Sequence, residues 1–136
     1  MEYEEIELIK QSKNGTVQLI KEKEGENFFI RKMIKGKVPA YRKLQGCQHP
    51  CLPKLYEVII TDDTTTIIEE YIGGQSLGCI ELSGKQFWNV VKDLCSVLQF
   101  LHGMGIIHRD IKPSNIIYAG DNHIRLIDFG AARVLK

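Results

Sequence analysis

Between His108 and Gly130 a polar loop, HRDIKPSN, runs into a strand–turn–strand stretch, NIIYAGDNHIRLIDFG, and no other feature constrains the fold as tightly. The turn residues AGDN separate two apolar, β-branched runs, which predicts a hairpin. A hairpin brings the end of its second strand back to the start of its first. Asp128 is therefore expected near Asn115 and Asp110, so that two carboxylates, an amide and the ammonium of Lys112 converge. Oxygen donors from Asn115 and Asp128 suit Mg²⁺, which takes few protein ligands alongside phosphate oxygens. Lys112 suits a phosphate. Asp110, if it is not on the metal, can orient a hydroxyl and accept its proton.

The chain before this loop has two textures. GTVQLI and NFFIRKMI are β-rich runs divided by the polar KEKEGE, and YEVIITDDTTTIIEEYI repeats the pattern around TDDT, so two hairpins are expected. Between them VPAYRKLQGCQ allows only a short helix closed by Gly46. After GGQSLG, apolar residues recur at Phe87, Val90, Val91, Leu94, Val97, Leu98 and Leu101, which is helical spacing over Lys85–His102. Ser83 is placed to cap this helix, with Gln86 in the capping-box position, and Gly103 and Gly105 end it. The reading is α+β: a sheet-rich part, then a helix, a loop and a small hairpin.

Composition narrows the function classes. A chain of 136 residues, 43% hydrophobic and 26% charged with net charge +1, is an ordinary globular composition with a core. Nothing in that balance suggests a nucleic-acid or membrane partner. The acidic start MEYEEIELIK is unlike a signal peptide and no apolar run spans a bilayer, so a cytoplasmic location is expected. Of the four cysteines, Cys47 and Cys51 flank His49 in CQHPC; with Pro50 stiffening it and no fourth ligand in view, this reads as a loop and not as a metal site. Cys95 is expected to be a core thiol on the helix's apolar face.

Taken singly, these site residues have plain structural readings. A lone His108 is most often a packed side chain, and DFG alone arises by chance. The combination H-R-D-x-K-x-x-N followed by D-F-G across a hairpin has few accidental matches. On these residues the chain resembles the eukaryotic-like (Hanks-type) serine/threonine protein kinases, most specifically over 87–133 and more faintly back to Gly15. The resemblance implies an antiparallel-sheet N-lobe through a hinge (1–72) and a partial helical C-lobe (73–136). It implies Asp110 as catalytic base, Lys112 steadying the γ-phosphate, and Asn115 and Asp128 as Mg²⁺ ligands, with ATP as the nucleotide. His108 and Phe129 resemble the stacked pair that links the loop to DFG. Small-molecule phosphotransferases of similar fold usually carry Gly for Arg109 and lack DFG.

The nucleotide side departs from the family pattern. In KQSKNGTV only Gly15 and Val17 match the glycine-rich loop, with Lys10 and Ser12 standing where glycines are expected. The strand lysine is assigned to Lys32 of FFIRKMI; a solvated strand lysine is the alternative. Its usual glutamate is missing. No acidic residue lies between Glu26 and Glu57, and the aligned position is Ala40. Lys32 is thus either differently paired or unpaired. IIEEYIGGQSL resembles the hinge, where the backbone of Glu70 and Ile72 would bond adenine. Glu69 occupies the gatekeeper position, and a carboxylate there needs a partner or water.

The sequence stops at Lys136, soon after DFG. The resemblance places the activation segment, the peptide platform and the rest of the C-lobe beyond that point. The expectation is therefore a kinase chain, or part of one, that transfers phosphate from Mg-ATP to protein Ser/Thr, with its protein substrate unidentified. The alternative is a non-catalytic nucleotide- or protein-binding module. An uncovered helix face also raises the expectation of self-association.

Overall fold

A computed structural model describes residues 2–135. The chain divides into two units, one from Met1–Gly46 and Lys54–Tyr71, the other from Cys47–Pro53 and Ile72–Lys136.

The first unit is built on strands β1 (Tyr3–Ser12), β2 (Gly15–Glu22), β3 (Phe28–Lys35), β4 (Leu55–Ile60) and β5 (Thr64–Glu70). They form one antiparallel sheet in the order β1-β2-β3-β5-β4. The two expected hairpins are β2–β3 and β4–β5. Strand β1 was not expected, for a physical reason: it is an edge strand exposed from Glu4 to Ser12, so burial imposes no alternation on its sequence. One face of the sheet gathers Ile20, Phe29 and Ile68 with Tyr3 packed on them. Tyr3 and Tyr56 each meet Phe29 edge-on, with centroids 5.7 and 5.1 Å away. By the strand register, the opposite face carries Lys32, Ile67, Glu69 and Val58, all buried.

Helix α1 (Pro39–Leu44) is the short helix expected before Gly46, which has φ +87°. It buries Ala40, Tyr41 and Leu44. Its N-cap residue Val38 donates its amide to Thr65 Oγ1 (2.9 Å), and Thr65 donates its hydroxyl proton to Gly36 O (2.8 Å), so the start of the helix is fastened to β5.

In the second unit, β6 (Gly74–Ser76) is followed by helix α2 (Gly84–Gly103) and short strand β7 (Ile106–Ile107). Strands β8 (Ile116–Ala119) and β9 (Ile124–Leu126) form the expected hairpin, and β10 (Arg133–Val134) follows it. The sheet order is β6-β8-β9, with β10 pairing separately on β7. The capping box at α2 is complete: Ser83 Oγ accepts from Gln86 N at 3.2 Å and Gln86 Oε1 accepts from Ser83 N at 2.9 Å. The helix buries Val90, Val97 and Leu101.

Two expectations about this helix are corrected. Cys95 is exposed, because it lies off the stripe running through Val90, Val97 and Leu101. Phe87 fits the apolar spacing but is also exposed and meets Trp88 edge-on at 5.9 Å. Among the described residues no helix is long and apolar enough to cross a membrane.

Candidate active site

The loop between β7 and β8 is held by its own histidine. His108 is buried, and its Nδ1 accepts the amide of Asp110 at 3.1 Å. Nδ1 therefore carries no proton, and the ring proton sits on Nε2, which donates to Ile127 O at 2.8 Å. The same ring meets Phe129 edge-on, with centroids 4.7 Å apart. One side chain thus ties together the residue before Asp128, the residue after it, and the backbone of Asp110.

Arg109, between His108 and Asp110, has φ 71°. For a non-glycine residue outside a turn of Asn or Asp this conformation is strained, and it persists where the surroundings fix it. Asp110 follows, with its carboxylate partly exposed. Asn115 donates Nδ2 to Asp110 O at 3.0 Å and to Asp110 Oδ2 at 3.1 Å. Lys112 Nζ stands 3.7 Å from the same oxygen, and more than half of its side chain is in solvent. Asp110 is thus oriented by a buried amide, and a largely exposed cation approaches the same carboxylate oxygen.

The β8–β9 hairpin closes this arrangement. Ile127 N donates to Asn115 O at 2.9 Å, so Asp128 follows directly on a residue bonded to Asn115. Asp128 has φ 64°, and its Oδ1 accepts from Gly130 N at 3.1 Å. Phe129 is buried. Beyond it, β10 pairs with β7, matching Arg133 with Ile107, so the chain after DFG is bound to the strand leading into the loop. The donor set fits a magnesium ion. The amide nitrogen of Asn115 is bonded to Asp110, which leaves its oxygen to offer, and Asp128 has a second carboxylate oxygen to offer.

In the first unit, Lys32 is not a solvated strand lysine. Its Nζ lies 2.8 Å from Glu69 Oε1, and the two side chains are only 9% and 7% exposed. In the β3–β5 register Lys32 faces Ile67, so Glu69 is its diagonal neighbour on the same face, within reach of a long side chain. The open questions about Lys32 and about the gatekeeper carboxylate have one answer. The signal was present in the sequence as two unmatched charges on strands, but joining them required the register.

The other nucleotide-side residues are placed as follows. Gly15 has φ +148°, and a Cβ there would collide with the backbone carbonyl of Met33. This glycine is therefore required by the close approach of β2 to β3. Between paired Ser12 and Gly15 the chain turns at Lys13 and Asn14, with Asn14 N taken by Ser12 Oγ and Asn14 O by Lys35 N. Val17 pairs with Lys32 across β2–β3. At Glu70 the backbone amide donates to Lys54 O at 2.8 Å, and Glu70 pairs with Phe29 at the end of the β3–β5 ladder. Ile72 opens the second unit's long segment and is half-buried.

One further cluster lies in the second unit. Ligand-capable atoms of Cys51, Asp93 and His123 all fall within 4.8 Å of one another. Asp93 accepts from Ile124 N (3.1 Å) and lies 3.2 Å from His123 Nδ1. Burial, together with the Asp93 carboxylate, pushes the Cys51 thiol up to about 11. A protonated thiol bonded to a carboxylate makes this a hydrogen-bonded brace between the 47–53 loop, α2 and the hairpin.

Comparison with known proteins adds independent evidence. The family model described as "Protein kinase domain" matches residues 3–136. Serine/threonine-protein kinase D of Synechocystis is 43% identical over 106 residues, covering 76% of this chain and 21% of that protein. Serine/threonine-protein kinase PEPKR2 of Arabidopsis thaliana is 32% identical over 139 residues, covering 94% of this chain and 30% of the relative. A 3-phosphoinositide-dependent protein kinase B of Dictyostelium discoideum is 30% identical over 151 residues, covering 99% and 17%. The chain thus spans less than a third of the length of each of these relatives.

Proposed function

This chain belongs to the protein kinase family, with relatives among the serine/threonine kinases, and we propose that it carries the phosphoryl-transfer machinery of such an enzyme, moving the γ-phosphoryl group of Mg-ATP to a Ser or Thr hydroxyl of a protein. The observation that carries this reading is Asp110, oriented by Asn115 and approached by Lys112, with Asp128 beside the far end of the same hairpin.

In the proposed step, Asp110 holds the acceptor hydroxyl and takes its proton as the oxygen bonds to the γ-phosphorus. The bond from that phosphorus to the β-phosphate oxygen breaks, and ADP leaves. Lys112, exposed and cationic, follows the charge on the transferred group. Asn115 and Asp128 would hold Mg²⁺, which neutralises charge on the phosphate oxygens. Lys32 is the residue for the α- and β-phosphates, and the backbones of Glu70 and Ile72 serve the adenine.

A second reading, a non-catalytic nucleotide- or protein-binding module, is favoured by the turn at Lys13–Asn14. There Ser12 and Lys10 replace glycines and the backbone groups of Asn14 are already bonded. The deciding experiment is a melting curve with and without Mg-ATP, with Asp128→Ala as control, followed by transfer to a generic protein substrate. A Mg-ATP shift lost in Asp128→Ala, with transfer, is the expected result. A shift without transfer selects the second reading, and no shift in the unaltered chain sinks both nucleotide readings.

A further inference from the structure

We infer that Glu69 is the positioning residue for Lys32, taking from within the sheet the part that a helix-borne glutamate plays elsewhere in the family. This rests on the proposed nucleotide reading and extends it. Three observations carry it. The Lys32–Glu69 pair is short, at 2.8 Å, and both side chains are almost wholly buried. The two residues sit on adjacent hydrogen-bonded strands, β3 and β5, as diagonal neighbours on one face. No acidic residue occurs between Glu26 and Glu57, so α1, with the sequence PAYRKL, brings no carboxylate of its own.

The consequence concerns regulation. Where the lysine's partner is on a helix, the pair forms only when that helix is in place, and helix position becomes a switch. Here the partner is fixed by the β3–β5 ladder, from Phe29↔Glu70 to Lys35↔Thr64. A ladder of that length cannot slip by one residue without turning every side chain to the other face. The direction of the Lys32 ammonium is therefore set whenever the sheet is folded, independent of where α1 lies. Arg42 Nη1, 3.2 Å from Val58 O, is one bond between α1 and β4, and loosening it should leave Lys32 aligned.

The test compares the affinities of Mg-ATP and adenosine for the full chain and for Glu69→Gln, Glu69→Asp, Lys32→Met, the Glu69→Gln/Lys32→Met double variant and Arg42→Ala. Glu69→Gln and Lys32→Met should each weaken Mg-ATP about tenfold or more, as misplacing a positioned group does, while adenosine binding holds. The double variant should be no weaker than Lys32→Met. Arg42→Ala should change Mg-ATP affinity less than about twofold by the same reasoning. If Glu69→Gln fails to fold, Glu69→Asp keeps the charge and should still weaken Mg-ATP selectively, because its shorter arm displaces the ammonium. Equal loss of ATP and adenosine in these variants would mean a merely structural pair. Tighter ATP binding in Glu69→Gln would mean that Glu69 withholds Lys32 from phosphate. An ATP loss in Arg42→Ala would return control to the helix. Each of these overturns the inference alone, whereas an unaltered chain that binds no Mg-ATP overturns the proposed function with it.

Discussion

Asn115 grips Asp110 twice, donating its side-chain amide to the carbonyl oxygen at 3.0 Å and to Oδ2 at 3.1 Å. The amide is buried and the carboxylate is partly open to water, so the rigid partner fixes the one that would meet substrate. The 3₁₀ turn Pro113–Asn115 makes the grip possible by returning the chain over Asp110 within five residues.

That geometry predicts separate effects on rate and stability. Asp110→Ala should lower kcat for transfer by roughly 10²- to 10⁴-fold, the range for a positioned proton acceptor. Its melting temperature should move little, because the carboxylate is not buried. Steady-state kinetics beside a melting curve checks both. A variant with unchanged kcat would remove Asp110 from the mechanism.

The buried pair predicts a stability asymmetry. Glu69→Ala removes the carboxylate 2.8 Å from the buried Lys32 ammonium and should cost about 3–5 kcal/mol. Lys32→Met/Glu69→Leu removes both charges and should recover most of that loss. Urea denaturation of the single and double variants measures it. Equal destabilisation in both would show that packing, and not charge, dominates the site.

His108→Ala removes the ring against Phe129 and the bond to Ile127 O, and leaves Asp110 N without its acceptor. The expected cost is about 2–4 kcal/mol, from the aromatic contact and buried groups left unsatisfied. Hydrogen exchange should show faster opening at Asp110 and at residues 127–130 than in β2 and β3. Uniform loosening of both units would contradict a local role.

Cys51 predicts an alkaline limit. Burial, then Asp93, raises its thiol from the ordinary 9.0 to about 11, so the fold favours the protonated form. That contribution is fully present below pH 9 and is lost as pH rises toward 11. The melting temperature should fall across this interval, and Cys51→Ala should flatten the fall. The exposed Cys79 and Cys95 should react with iodoacetamide well before Cys51 at pH 8. Early modification of Cys51 would refute the brace described for it.

The sequence by itself determined what is local. The hairpins around KEKEGE, TDDT and AGDN, the capped helix after Ser83, and the loop HRDIKPSN each follow from turn chemistry, periodicity or spacing within a few residues. Family membership follows from the same short-range pattern. Edge strand β1 was not legible, because an exposed strand has no burial to impose alternation. Cys95 was misread for a related reason: helical spacing says which residues share a face, not which face is covered. The partner of Lys32 belonged to tertiary structure alone. Lys32 and Glu69 are far apart in the chain, and no short motif pairs them. Their meeting depends on β5 lying beside β3 in one register, which no local propensity specifies and which only the assembled sheet enforces.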